Sequence, residues 1–137
     1  VVKNSIETFK GTKRRFDYLG SYNNAEIYDD YAHHPTELHE LVNSAKGKFE
    51  DKTLNILFQP HQAYRTTAFL QEFAEELAVA DNILLLSIFT AREENGEANI
   101  QLLNKLKEEI RKIIDSRKQE KKAISETILK NIIDTYK

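Results

Sequence analysis

Three short apolar runs, Ala25 to Tyr28, Leu54 to Phe58 and Ile83 to Phe89, each stop at a polar cluster and then give way to a helical spacing of apolar residues. That alternation constrains the chain more than any other feature in it. A strand followed by an amphipathic helix has to cross over before it pairs with the next strand, so successive strands run parallel. The expected fold is α/β: a Rossmann-like three-layer sandwich with a mostly parallel sheet and helices on both faces. One strand departs from this rule. Phe16 to Tyr22 and Ala25 to Tyr28 flank Asn23-Asn24, and asparagine tolerates the positive φ of a tight turn, so an antiparallel hairpin is expected at the N-terminal side.

The helices follow from apolar spacing. Pro35 suits a first helical position because its missing N–H has no partner there, and Leu38, Leu41, Val42 and Ala45 then line one face of a helix to Lys46. A second helix is expected from about Thr66 to Ala80, with Phe69, Leu70, Phe73 and Leu77 turned inward. Leu102, Leu103, Leu106, Ile110 and Ile113 mark a third, and Ile124, Ile128, Ile132 and Ile133 a fourth. The charged stretch Arg117 to Lys122 between them reads as a solvated loop. Val1 to Phe9 reads as the end of a helix, and Lys10-Gly11 as a linker.

Composition narrows the function classes. A chain of 137 residues suits one domain, and its net charge of −2 gives no global basic field for nucleic acid. The absence of cysteine excludes disulfides, thiolate metal sites and cysteine nucleophiles. No stretch approaches the ~20 apolar residues of a membrane span. There is no phosphate-loop motif, no G-x-G-x-x-G and no nucleophile elbow, so a bound nucleotide needs a phosphate cradle from outside this chain.

The polar residues cluster at strand ends. Asp30 and His33 follow one strand, His61 and Arg65 the next, Arg92 and Glu93 a third. On a parallel sheet all three clusters share the edge where α/β folds bind ligands. Asp29 and Asp30 offer oxygens to ribose hydroxyls or a metal, or else close a turn. Alternation along a strand points the two apart, so at most one faces a ligand. His33 and His34 can bind metal, shuttle protons or hold phosphate; the plainer reading is helix capping beside Pro35. His39, mid-helix, reads as a surface residue. Arg65 opens a helix against the positive end of its dipole, a placement that calls for an anionic partner. Arg14 and Arg15 raise the same question at the first strand.

The segments Phe9-Lys10-Gly11-Thr12-Lys13-Arg14-Arg15-Phe16-Asp17, Asp29-Asp30-Tyr31-Ala32-His33-His34-Pro35-Thr36-Glu37, Phe58-Gln59-Pro60-His61 with Arg65-Thr66, and Ala91-Arg92-Glu93 together resemble the C-terminal domain of the Mur ligase family. The resemblance is to the branch that joins L-alanine to UDP-N-acetylmuramate, the first amino acid of the peptidoglycan stem peptide. It implies a three-domain, ATP- and magnesium-dependent bacterial cytoplasmic enzyme working through an acyl phosphate, with magnesium and the ATP phosphates held mainly by a central domain. Residues 1–12 then end that central domain, and residues 13–137 form the C-terminal domain, truncated at its far end. The implied ATP contacts are Asp30 and Arg15. His33, Tyr31, His61 and Arg65 are implied to bind the alanine and muramoyl substrates, Arg65 holding the alanine carboxylate. The resemblance implies no catalytic residue and no metal ligand here, no nucleic-acid or membrane partner, and no turnover by this piece alone. Gln62 departs from relatives that carry arginine there, and no final Gly-Ala-Gly segment is evident.

Three other readings compete. A recycling ligase of the same family, which attaches a whole tripeptide, shares the Asp-Asp-x-Ala-His-His-Pro stretch. A metal-dependent phosphohydrolase would use Asp29, Asp30, His33, His34 and His61 as ligands. A non-catalytic module derived from a ligase would use its charged helices to bind a protein.

Overall fold

The structure, a computed structural model, describes residues 12–89 and 96–135. The expected helix end at Val1 to Phe9, its linker and the Arg92-Glu93 cluster lie outside the described residues. Strands β1 (Asp17–Tyr22) and β2 (Ala25–Asp29) form the antiparallel hairpin expected from Asn23-Asn24. Both asparagines take the left-handed conformation that the turn requires, at φ 47° and 65°. Leu19 is the extra residue of a bulge between Tyr18 and Gly20. Gly20 takes φ 141°, which a side chain rarely allows, although a Cβ there would meet no neighbour.

Strand β3 (Asn55–Phe58) runs parallel to β4 (Asn82–Leu85), as the strand–helix alternation requires. Ile56, Phe58, Ile83 and Leu85 turn inward, while Asn55, Leu57, Asn82 and Leu84 face out. Beyond the regular ladder the two segments separate and meet again where Phe89 accepts from Gln62 and donates to Pro60. The expected single sheet, however, is two: β1 bonds only to β2, and β3 only to β4, among the described residues. The α/β class stands, but a full three-layer sandwich does not form. The inner edge of β2 is anchored by side chains instead of a ladder: Tyr28 stacks on Phe16 at 4.6 Å and tilts against Phe49, and Lys52 pairs with Glu26 at 3.0 Å.

Helix α1 (Pro35–Lys48) begins at the expected proline and buries Leu38, Val42 and Ala45. The expected Thr66–Ala80 helix is instead α2 (Ala63–Ala68) and α3 (Leu70–Leu77), broken at Phe69. Thr66 and Thr67 both turn their hydroxyls back onto carbonyls four residues earlier, which weakens the helix at this point. Phe73, Leu38, Leu77, Leu106 and Val42 form the fully buried centre, with Phe58 packed on Phe73 at 5.5 Å.

Helix α4 (Gly96–Thr135) replaces the two expected helices and the loop between them. Its 40 residues extend roughly 60 Å. No Gly or Pro interrupts residues 117–122, and Lys, Arg, Gln and Glu are good helix formers, so the helix continues through solvent. Arg117 is not idle: its Nη1 donates to the Ala78 carbonyl just past α3, at 3.1 Å. A continuous helix makes a clear prediction. Gln119→Pro should lower helical ellipticity at 222 nm while leaving the urea midpoint almost unchanged, because among the described residues the core contacts of α4 end near Ile114. Unchanged ellipticity would mean that residues 117–122 form a loop.

Candidate functional site

The entrance to β1 holds two non-glycine residues in the left-handed region, Arg14 at φ 58° and Phe16 at φ 49°. Each such residue costs about 1–3 kcal/mol and persists only where its surroundings hold it. Asp30 does most of that holding. Its Oδ2 accepts from the Phe16 amide at 2.8 Å and its Oδ1 from the Ala32 amide at 2.7 Å. The Tyr31 amide donates to the Arg14 carbonyl at 2.9 Å, and the Arg14 guanidinium reaches Asp29 at 3.2 Å and lies over the Tyr31 ring. The two aspartates thus point to different partners. Arg15, between the two strained residues, is presented to a cleft of about 400 Å³.

Arg15 and Asp30 line that cleft together, facing Glu37 and Glu40 from α1, with Phe16 and Leu41 as apolar walls. Three carboxylates against one guanidinium leave it net negative. It therefore suits a hydroxyl-bearing, flat group such as a nucleoside better than a polyphosphate. Glu40 makes no hydrogen bond or ion pair among the described residues, so its oxygens are available.

Next to the cleft lies a row of rings. Tyr31 packs on His33 at 4.8 Å, His33 on His61 at 6.0 Å, and His61 on Phe89 at 5.1 Å. His33 and His61 thus meet even though their strands belong to different sheets. His34 goes elsewhere: its Nδ1 accepts from the Thr36 amide at 3.3 Å and its ring packs edge-on against Phe69. The capping role is the one His34 fills. His39 is more than a surface residue, since it bridges α1 to Glu76 of α3 at 2.9 Å. Gln62 has φ 69° and an exposed side chain. Arg65 sits on the first turn of α2, and its Nη1, like Nδ1 of His61, is buried without a hydrogen-bond partner among the described residues.

One carboxylate that sequence reasoning did not single out joins the two groups. Oε2 of Glu37 accepts from the amides of His33 at 3.0 Å and His34 at 3.2 Å, and lies 3.4 Å from His33 Nδ1. Its Oε1 lies 3.6 Å from Arg15. The signal was available in the sequence: His34-Pro35-Thr36-Glu37 has the spacing of a capping box. The His33 amide above all, then His33 itself, the His34 amide and Arg15, hold the Glu37 carboxyl below the usual carboxylate range despite partial burial. A lowered folded pKa contributes stability that is complete above the unfolded value of 4.5 and is lost as pH falls through the lowered one. Wild type should therefore be more stable than Glu37→Gln at pH 7, with the gap closing on acidification below about pH 4.5. Urea midpoints across that range check this; a gap that stays constant with pH would remove Glu37 as the cause.

With that geometry in view, the chain is similar to one class of domain. The family description "Mur ligase, glutamate ligase domain" matches residues 14–132, and the chain belongs to the Mur ligase family through its C-terminal domain. Among curated relatives, the UDP-N-acetylmuramate–L-alanine ligase of Hydrogenobaculum sp. is 37% identical over 111 residues, covering 80% of this chain and 25% of that protein. The enzyme of the same name from Bifidobacterium longum (strain DJO10A) is 42% identical over 94 residues, covering 69% of this chain and 18% of that protein. Among solved structures, the UDP-N-acetylmuramate–alanine ligase of Thermotoga maritima aligns with a TM-score of 0.57 at 28% identity, over 77% of this chain and 21% of that one. A murein peptide ligase from Psychrobacter arcticus aligns with a TM-score of 0.52 at 29% identity, over 60% of this chain and 17% of that one. The chain thus spans a quarter or less of the curated relatives compared here.

Proposed function

We propose that this chain is the amino-acid-binding, C-terminal domain (residues 13–137) of an ATP-dependent ligase that joins L-alanine to UDP-N-acetylmuramate, with residues 1–12 completing the domain before it. The observation that carries this reading is Arg65. A guanidinium nitrogen of Arg65 and a ring nitrogen of His61 are each buried without a hydrogen-bond partner among the described residues, and a carboxylate ligand satisfies such a guanidinium. The α-carboxylate of alanine supplies it. His33 and Tyr31, which continue the row of rings from His61, contact the same substrate. Asp30 and Arg15 take the nucleoside end of ATP in the neighbouring cleft, whose acidic walls leave the phosphates and magnesium to another domain. ATP supplies the phosphoryl group that activates the muramoyl carboxylate as an acyl phosphate, which the alanine amine then attacks.

The metal-hydrolase reading finds less support. Among the described residues no group of three or more His, Asp or Glu side chains is placed to hold a metal. The recycling-ligase reading rests on the more partial likeness to the murein peptide ligase, whereas the curated relatives described above are named as alanine ligases.

Two outcomes test the proposal. In the complete ligase, Arg65→Ala should raise the KM for L-alanine with little change in the KM for ATP. Losing a charge-assisted pair worth about 1.5–3 kcal/mol lowers kcat/KM for alanine roughly ten- to a hundredfold. Arg65→Lys should restore only part, because an ammonium lacks the planar fork. A lower melting temperature with an unchanged alanine KM would make Arg65 structural. Separately, the purified 137-residue chain should not turn over ATP, since it contains no phosphate-loop motif; robust turnover would overturn the domain assignment.

A further inference from the structure

His33 commits one ring nitrogen to the protein and leaves the other open. Nδ1 lies 2.9 Å from the Tyr31 carbonyl oxygen and 3.4 Å from Glu37 Oε2. Both oxygens only accept, so Nδ1 carries a proton and donates it. Whenever the ring is neutral, Nε2 therefore holds the lone pair, and it has no hydrogen-bond partner among the described residues. The side chain is 30% exposed, so a ligand can reach it. A carboxylate beside Nδ1–H fixes the tautomer and stabilises the imidazolium that forms when Nε2 takes a proton.

We propose that His33 Nε2 accepts the proton of the incoming amino acid's ammonium group, and that Glu37 is the positioning residue that keeps His33 in the tautomer able to do so. This rests on the ligase reading above. An ammonium has no lone pair and cannot attack a carbonyl. Transfer of one N–H proton to Nε2 frees the lone pair, which forms the C–N bond to the acyl phosphate carbon. The C–O bond to phosphate then breaks, and the second N–H proton leaves with the phosphate. An α-amino acid carries its ammonium one carbon from its carboxylate, and His33 belongs to the same row of rings as His61, whose Nδ1 is buried without a hydrogen-bond partner among the described residues.

The charged and titratable groups that face His33 are Glu37, Arg15 at 3.6 Å from the other Glu37 oxygen, His61, and Arg14 above the Tyr31 ring.

The test compares the complete ligase with His33→Gln, Glu37→Gln and Glu37→Asp. His33→Gln should lose about 10²- to 10⁴-fold in kcat at neutral pH, with the KM values for alanine and ATP within threefold of wild type. The deficit should shrink by about tenfold per pH unit as alkali supplies the amine already deprotonated, since a base is then no longer needed. Glu37→Gln should show a smaller loss with the same pH trend, and Glu37→Asp should recover part of it. Long-range ¹H–¹⁵N NMR on the 137-residue chain should find His33 protonated at Nδ1, and a mixture of tautomers in Glu37→Gln. A kcat deficit that stays constant with pH, or an Nε2–H tautomer in wild type, would overturn the proposal alone. Failure of the unmodified enzyme to turn over ATP in response to alanine would sink the ligase reading, and the proposal with it.

Discussion

Glu37 stands where the β1–β2 hairpin, the histidine loop and the first turn of α1 meet, and its two oxygens face His33, His34 and Arg15. Without a shared ladder between the two sheets, no backbone hydrogen bond ties β2 to β3 among the described residues. The hairpin is instead held to the helical layer by side chains, with Glu37 at one end and the Lys48–Tyr28–Phe49 contacts at the other. A carboxylate loses much of its desolvation penalty when several donors face it, which is why a partly buried acid is tolerated at this junction.

That junction also orders the candidate site. The strained turn of Arg14 and Phe16 exists because Asp30 accepts from the backbone on both sides, and it projects Arg15 toward the cleft. The same chain segment then carries Tyr31 and His33 to the rings of His61 and Phe89. The cleft and the row of rings are therefore neighbours held in register by one short loop.

Much of this was legible from residue order. Asn23-Asn24 set the hairpin turn because few residues accept positive φ. Pro35 set the start of α1, and the apolar runs at Ile56 and Ile83 set a parallel pair because a helical crossover lies between them. What escaped depended on competition between local and distant contacts. The break at Phe69 came from two threonine hydroxyls bonding back to the chain, in a segment whose apolar spacing reads as one helix. The loop expected at Arg117 to Lys122 proved helical, since polarity alone does not distinguish a solvated helix from a solvated loop.

The sequence by itself determined the hairpin, the start of α1, the parallel β3–β4 pair and which polar residues follow the strands, because these depend on local conformational preference and apolar period. Tertiary structure alone decided that the hairpin stands apart from the parallel pair, that His34 caps a helix while His33 meets His61, and that Glu37 joins the cleft to the histidines. Those outcomes turn on distances of a few ångströms between residues far apart in the chain. Adjacent residues such as His33 and His34 have nearly the same local preferences, and only packing sends their side chains to different partners.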